Sequence, residues 1–326
     1  MKKFNVLVML GLVLLGCAQN QPPTSTAVAT ATLPENPTAT AYLPLVTSTP
    51  SANPPSGNRP AWLEAESWVY QLSGYPNEQL AEIAAAEFDV AVIDLARDGY
   101  EGYFTAAEIT TVKESGKYVL AYFEIGAIEN YRPEWDAVPA DLMLGAVGGW
   151  PDEQYVKYWD ERWWPIVQGR LDKALAAGFD GAYLDMVVTY EEIPATAAGT
   201  NRADLAQKMV ALIGRISAYA KAINPDFKVL PQNSPELHEV AGYLAAVDGL
   251  GMEELFFLAT DIPCDESWCA ENRDNAAVIR AAGKLVLAVD YATEAANIAS
   301  AHQQARAAGF VPYVSIRNLD EIRAQE

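Results

Sequence analysis

The chain has 326 residues, 51% of them hydrophobic, and carries 43 acidic against 22 basic side chains, a net charge of −21. That balance excludes a nucleic-acid partner, since phosphates are held by Lys and Arg. It serves solubility and also draws cationic ligands.

Lys2 and Lys3 precede an apolar run from Val6 to Leu15, which ends at Gly16-Cys17. A basic start, a short apolar core and a small residue at the break describe a secretory signal. The run is too short to span a bilayer as a helix. Leu14-Leu15-Gly16-Cys17 resembles the bacterial lipobox. The resemblance implies that residues 1–16 are removed and that Cys17 is lipidated, leaving the protein anchored at the cell surface or the extracytoplasmic face of the membrane. From residue 18 to residue 60 there are nine Pro, eight Thr and only two charged residues, Glu35 and Arg59. Such a segment cannot bury enough apolar surface to fold. Residues 17–60 are therefore expected to be a disordered Pro/Thr-rich tether, and 61–326 a single globular domain.

Eight short apolar runs follow, at Trp68–Leu72, Val90–Leu95, Tyr118–Phe123, Ala182–Asp185, Val229–Gln232, Leu250–Glu253, Leu285–Asp290 and Val311–Ser315. Continuous rather than alternating apolar runs indicate strands covered on both faces. Helical patterns separate them. The clearest runs from Arg202 to Ile223, capped by Asn201 and stopped by Asn224-Pro225; others span about Trp159 to Ala177 and Thr293 to Ala308. Gly178 ends one helix, Asp180-Gly181 makes a turn, and the strand that follows delivers Asp185 to its carboxyl end. Eight strand–helix units predict an α/β fold, a single (β/α)8 TIM barrel, for which about 250 residues is usual. No Gly-rich dinucleotide or P-loop signature follows any strand, so the rival open sheet lacks its chemistry. Two long connections, from Glu124 to about Tyr158 and from Met186 to Asn201, would rise beside the ligand-binding face.

The strand ends carry the chemistry. They are Gln71, Asp94, Glu124, Asp185, Gln232 with Asn233, Glu253 with Glu254, Asp290 with Tyr291, and Ser315 with Arg317. Carboxylates dominate and His is absent, which excludes a Ser-His-Asp triad and a His-based metal site. What remains is paired-carboxylate chemistry, of which glycoside hydrolysis is the commonest kind. Asp185 and Glu253 come from strands four and six, which contribute to the same layers of a barrel. Glu253 is preferred to Glu254 because LGMEELFF reads as a strand followed by an aromatic loop. Cys264 and Cys269, within PCDESWC, read as a small disulfide loop in an exported protein. Neither His238 nor His302 has ligand spacing with them, so no metal site or cofactor is expected.

Several stretches together resemble glycoside hydrolase family 114, the endo-α-1,4-polygalactosaminidases. They are WVYQL at 68–72, VIDL at 92–95, IGAIENYRPEW at 125–135, YVKYWD at 155–160, GFDGAYLD at 178–185, PQNS at 231–234, EELF from Glu253 and GKLVLAVDY at 283–291. The resemblance implies a (β/α)8 barrel, a catalytic pair at Asp185 and Glu253, and a galactosamine-containing polymer, partly cationic, as substrate. One departure is Tyr122-Phe123-Glu124, where that family often has small residues. Asp185 is expected to be nucleophile or base and Glu253 the general acid. Gln71, Asp94, Glu124, Trp159, Tyr183, Asn233, Glu254, Asp290, Tyr291 and Arg317 are expected to bind substrate. The alternative is a non-catalytic carbohydrate-binding lipoprotein on the same scaffold, which has no need of two facing carboxylates.

Overall fold

The computed structural model describes residues 59–325, apart from Asp98, Glu101 and Thr200. The expected signal, the lipidated Cys17 and the tether up to residue 58 lie outside the described residues. The last two tether positions are packed against the domain. Arg59 pairs with Asp180 at 3.1 Å and lies 3.9 Å over the Tyr118 ring, while the Pro60 carbonyl accepts from the Tyr118 hydroxyl at 3.1 Å. The folded unit thus begins before residue 61, because a guanidinium with a carboxylate and a ring beneath it is a better-ordered start than composition reveals.

Among the described residues there are eleven strands: β1 (Trp68–Gln71), β2 (Val90–Asp94), β3 (Tyr118–Glu124), β4 (Ala127–Glu129), β5 (Met143–Val147), β6 (Trp150–Val156), β7 (Gly181–Asp185), β8 (Lys228–Pro231), β9 (Gly249–Glu253), β10 (Leu285–Tyr291) and β11 (Val311–Ser315). Eight of these are the predicted parallel strands. They lie in chain order, as a five-stranded sheet β1-β2-β3-β7-β8 and a three-stranded sheet β11-β10-β9. The seam between β8 and β9 is crossed by one parallel bridge, Gln232 to Gly251, and by the Asn233 amide donating to the Gly251 carbonyl at 2.8 Å. On the other side the Trp68 indole donates to the Val311 carbonyl at 3.0 Å. Every residue of β1, β2, β3, β10 and β11 is buried, as strands covered on both faces require.

Helices punctuate the strands. Arg202–Ile223 starts on Asn201, whose side chain accepts from the Asp204 amide, and buries Leu205, Met209, Leu212, Ile213, Ile216 and Ala220 along one stripe. Two others start later than expected. The second helix begins at Trp164, with Pro165 in its first turn, and the last runs Ala295–Ala307. A start at Trp159 would have put Pro165 in the interior, where it has no N–H to give.

The interior between the sheets is aromatic. Trp68, Tyr70, Tyr183 and Tyr313 are fully buried, with Trp68–Tyr70 centroids 5.6 Å apart and Tyr70–Tyr183 5.2 Å apart. Such rings need small partners. A Cβ on Gly251 would overlap the Tyr183 hydroxyl and ring. Gly251→Ala is therefore expected to cost about 1–3 kcal/mol by overpacking. An unchanged melting temperature would show that Tyr183 can move aside.

The connection after β3 is the main surprise. Within it β4, β6 and β5 form a three-stranded antiparallel sheet, with Ala127 opposite Tyr155 and Glu129 opposite Glu153. This sheet stands directly beyond the strand end that carries Glu124.

Candidate active site

The turn before β7 is built as its sequence suggests. Gly178 is left-handed at φ 84°, and the Phe179 amide donates back to the Ala174 carbonyl at 3.0 Å, which closes the helix. Asp180 then pins the start of the strand. Its Oδ2 accepts from the Val119 amide at 3.0 Å, and its Oδ1 pairs with Lys113 at 3.0 Å. Gly181 has no room for a Cβ between Leu120 and the Lys228 carbonyl. These constraints set the register that places Asp185 beside Glu124.

Asp185 and Glu253 are brought together from below. Alternate residues of a strand share a face, so Tyr183 lies under Asp185 and Gly251 under Glu253. The Tyr183 ring fills the space above Gly251, which ties the two strands one layer beneath the carboxyls. Each carboxyl has a tyrosine donor. The Tyr122 hydroxyl donates to Asp185 Oδ2 at 2.6 Å, and the Tyr291 hydroxyl donates to Glu253 Oε1. Glu253 Oε2 also accepts from the Gln232 side chain and from Asn233 Nδ2 at 3.1 Å, and the Tyr70 hydroxyl donates to Gln232 Oε1 at 2.9 Å. Burial, and then the negative charge of Glu253, push Asp185 up to about 7, against the Tyr122 hydrogen bond. Burial and the adjacent carboxylates hold both tyrosines well above their ordinary range, so they remain donors.

Behind this pair lies a buried charge network. Arg132 makes a two-pronged contact with Asp94, Nη1 to Oδ1 and Nη2 to Oδ2, both 2.9 Å. Its Nη2 also donates to Glu124 Oε1 at 2.9 Å, and its Nε donates to Glu129. Arg170 is buried against Glu124 from the other side, 3.2 Å from Oε2. Burial alone would raise Glu124, yet Arg132, a hydrogen bond with Glu129 and then Arg170 hold it at about 2. Glu129 is instead raised to about 10, by burial and by the charge of Glu124.

The expected substrate-binding residues divide accordingly. Asn233 and Tyr291 are at the pair, bonded to Glu253. Asp94 and Glu124 are corrections: their carboxylates are turned to Arg132 and Arg170, and both residues are buried. Gln71 is a correction too, because its amide donates to the Ser73 carbonyl at 2.8 Å. Tyr183 is fully buried beneath the pair and so cannot face a ligand. Asp290 accepts from the Phe256 and Phe257 amides, both at 2.8 Å, and holds the loop after Glu253 rather than a sugar. Cys264 and Cys269 form a disulfide that fastens the same loop, with Cα atoms 5.8 Å apart. Glu254 bends into that loop at φ 57° and accepts from the Ala259 amide at 2.8 Å. Arg317 is exposed and reaches Glu254 only through its charge. Trp159 packs edge-on against Tyr158, centroids 5.0 Å apart, and no hydrogen bond or ring contact among the described residues links it to the pair. Sequence reasoning missed Tyr122 as a donor, Arg132 as the hub of the network, and Glu153.

Parallel strands deliver two carboxyls to one face, each hydrogen-bonded by a tyrosine, an arrangement that suits the class of the glycoside hydrolases, whose reaction needs one acid and one base or nucleophile. The chain belongs to glycoside-hydrolase family GH114, which it matches over residues 47–326. Uncharacterised proteins of Deinococcus radiodurans and Thermotoga maritima are similar to it. The first is 34% identical over 296 residues, 89% of this chain and 93% of that protein. The second is 31% identical over 269 residues, 78% and 82% of the two chains. Among solved structures, Ega3 of Aspergillus fumigatus in complex with galactosamine matches with TM-score 0.62 and 19% identity, covering 81% of this chain and 97% of that one. The glycoside hydrolase domain of PelA from Pseudomonas aeruginosa matches with TM-score 0.64 and 18% identity, covering 80% and 98%. At these identities the two structures support the fold.

Proposed function

We propose that this chain is an endo-acting glycosidase of amino-sugar polysaccharide, with α-1,4-linked galactosaminan as the substrate, working through Asp185 and Glu253. The observation that carries the reading is the electrostatic coupling of these two carboxyls on one face, each held by its own tyrosine. The galactosamine in the Ega3 complex supports the sugar class, and the net charge of −21 suits a cationic polymer. In this reading the eight parallel strands close into a (β/α)8 barrel. Cys17 carries a lipid, residues 17–60 serve as the tether, and the protein is anchored at the extracytoplasmic face of a membrane. Asp185 serves as nucleophile or base and Glu253 as acid. Burial and the charge of Glu253 hold Asp185 near 7, so at neutral pH and below Asp185 keeps a proton at this face.

That proton sets the pH dependence. As the pH rises through about 7 Asp185 gives up its proton, and the face that must supply an acid to the leaving group is left without it. The value of kcat/KM is expected to fall about tenfold per pH unit on the alkaline side of 7, read on a substrate without a titrating amine. The direct test is depolymerisation of galactosaminan by the purified protein. Release of shorter oligomers supports the reading. Binding without turnover would instead establish the non-catalytic alternative.

A further inference from the structure

The chain leaves the sheet directly after Glu253. The Glu253 amide donates to Asn233 Oδ1 at 3.0 Å and the Glu254 amide donates to the Val289 carbonyl at 2.9 Å, and there β9 ends. Glu254 then takes a left-handed bend at φ 57°. A loop follows, from Leu255 to Glu266, and leads into the helix Ser267–Ala281. A glutamate does not favour that bend, so contacts made further along the loop must hold it.

Two side chains of opposite charge gather the backbone of this loop. Asp290 takes its donors, the Phe256 and Phe257 amides, both at 2.8 Å. Arg273 takes its acceptors. Its Nη1 donates to the Leu255 carbonyl at 2.7 Å and to the Cys264 carbonyl at 3.3 Å, so one nitrogen joins the first residue of the loop to its returning arm. The guanidinium also lies 5.7 Å from the centre of the Phe256 ring. The loop is folded double beneath it: the Cys264 amide donates to the Phe256 carbonyl at 2.8 Å, and Phe257 bridges Pro263. Arg273 stands four residues after Cys269 on the same helix, and residues so spaced share a face. The disulfide and the guanidinium therefore grip the loop from one side of one helix. Leu255, Phe256, Phe257 and both cysteines are buried, so the grip is made away from water.

We propose that Arg273 is a positioning residue for Glu253, holding the loop so that the carboxyl is aimed at the leaving oxygen. This rests on the reading in which Glu253 is the acid. Once the Leu255 carbonyl is released, Glu254 relaxes toward extended backbone. That turns the peptide joining it to Glu253 and swings the carboxyl off line. Asp185 is held by the Tyr122 hydroxyl and the Met186 amide, neither of which touches Arg273. Loss of Arg273 thus misaims the acid and leaves its partner in place, and proton transfer depends steeply on such placement.

Two substrates given to the full-length protein separate this role from plain structural support. One is the polymer, whose poor leaving group needs the acid; the other is an aryl glycoside of the same sugar with a good leaving group, which does not. Arg273→Met is expected to lower kcat on the polymer about tenfold, the scale of one hydrogen bond from a charged donor, with KM unchanged and the aryl glycoside turned over as before. Arg273→Lys, which still reaches one carbonyl, is expected to recover part of the loss. Replacing both cysteines by serine releases the second grip and is expected to give the same split between substrates. It also carries the test if Arg273→Met does not fold. Equal loss on both substrates would overturn the proposal by reducing Arg273 to general support, and unchanged rates on both would overturn it outright. A split seen in Glu253→Gln but not in the Arg273 or cysteine variants leaves the glycosidase reading standing and removes this proposal. If the unmodified protein cuts neither substrate, the glycosidase reading falls and this proposal with it.

Discussion

Asp185→Asn and Glu253→Gln are each expected to lower kcat about a thousandfold, the usual scale for removing an acid or base from a two-carboxyl mechanism. Neither change alters shape. Asn at 185 keeps one oxygen to accept from Tyr122, and its second group then faces the Met186 amide, a donor it cannot serve. Gln at 253 sets its NH2 toward Tyr291, which strands one donor, or toward Gln232 and Asn233, which strands two. Against those losses each variant removes the repulsion that raises Asp185, so the melting temperature should stay near that of the parent. Activity loss without stability loss is the signature of a chemical role. The double variant should be little worse than either single one, because the two groups act as a unit. An aryl glycoside with a good leaving group separates the roles: the acid variant, Glu253→Gln in this assignment, keeps turning it over, and the nucleophile or base variant does not. Full activity on polymer in either single variant, with the fold intact, would end the two-carboxyl mechanism for this protein.

Arg132→Met is expected to cost about 3–5 kcal/mol of stability, the scale for stranding buried charges. Arg132 touches Asp94, Glu124 and Glu129 at once, and the first two are buried. Without it Glu124 is left with Arg170 as its arginine partner among the described residues, and Asp94 with the Ala96 amide at 2.8 Å. Arg132→Lys should rescue little, since one ammonium cannot reproduce a two-pronged contact while also reaching Glu124 and Glu129. Urea denaturation measures both. A midpoint for Arg132→Met within experimental scatter of the parent would mean that water reaches and solvates the network.

The parts legible in the sequence are those governed by local rules. The parallel strands announce themselves as continuous apolar runs. Gly178 and Asn201 act through their own backbone preferences, so the start of β7 and of the long helix could be read directly. The positions of Asp185 and Glu253 at the ends of β7 and β9 follow from the apolar runs alone. What could not be read depends on distant partners. Asp94 and Glu124 look like free carboxylates until Arg132, 38 residues beyond Asp94, folds back onto them. Asp290 looks like a ligand group until the Phe256 and Phe257 amides arrive from 33 or 34 residues earlier. The strands β4, β5 and β6 are short, and the pairing that makes Glu153 buried exists only once the connection has doubled back. The aromatic interior hid Tyr183: a tyrosine two residues before a candidate acid reads equally well as floor or as wall, and Gly251 decides for floor.

Met186, Asn233 and Glu254 all take left-handed backbone angles, at φ 57°, 61° and 57°, and each sits one residue past Asp185, Gln232 or Glu253. None is glycine; Asn tolerates this region, but at Met186 and Glu254 the bend is held against the residue's own preference, at a cost of order 1–3 kcal/mol apiece. Their side chains explain the choice: Met186 joins the Ala127–Val147 cluster, Asn233 grips Glu253, and Glu254 closes its loop on Ala259. Glycine would relax all three bends and let three aiming contacts go. The molecule gives up durability at the rim of its cleft in return for accurate aim.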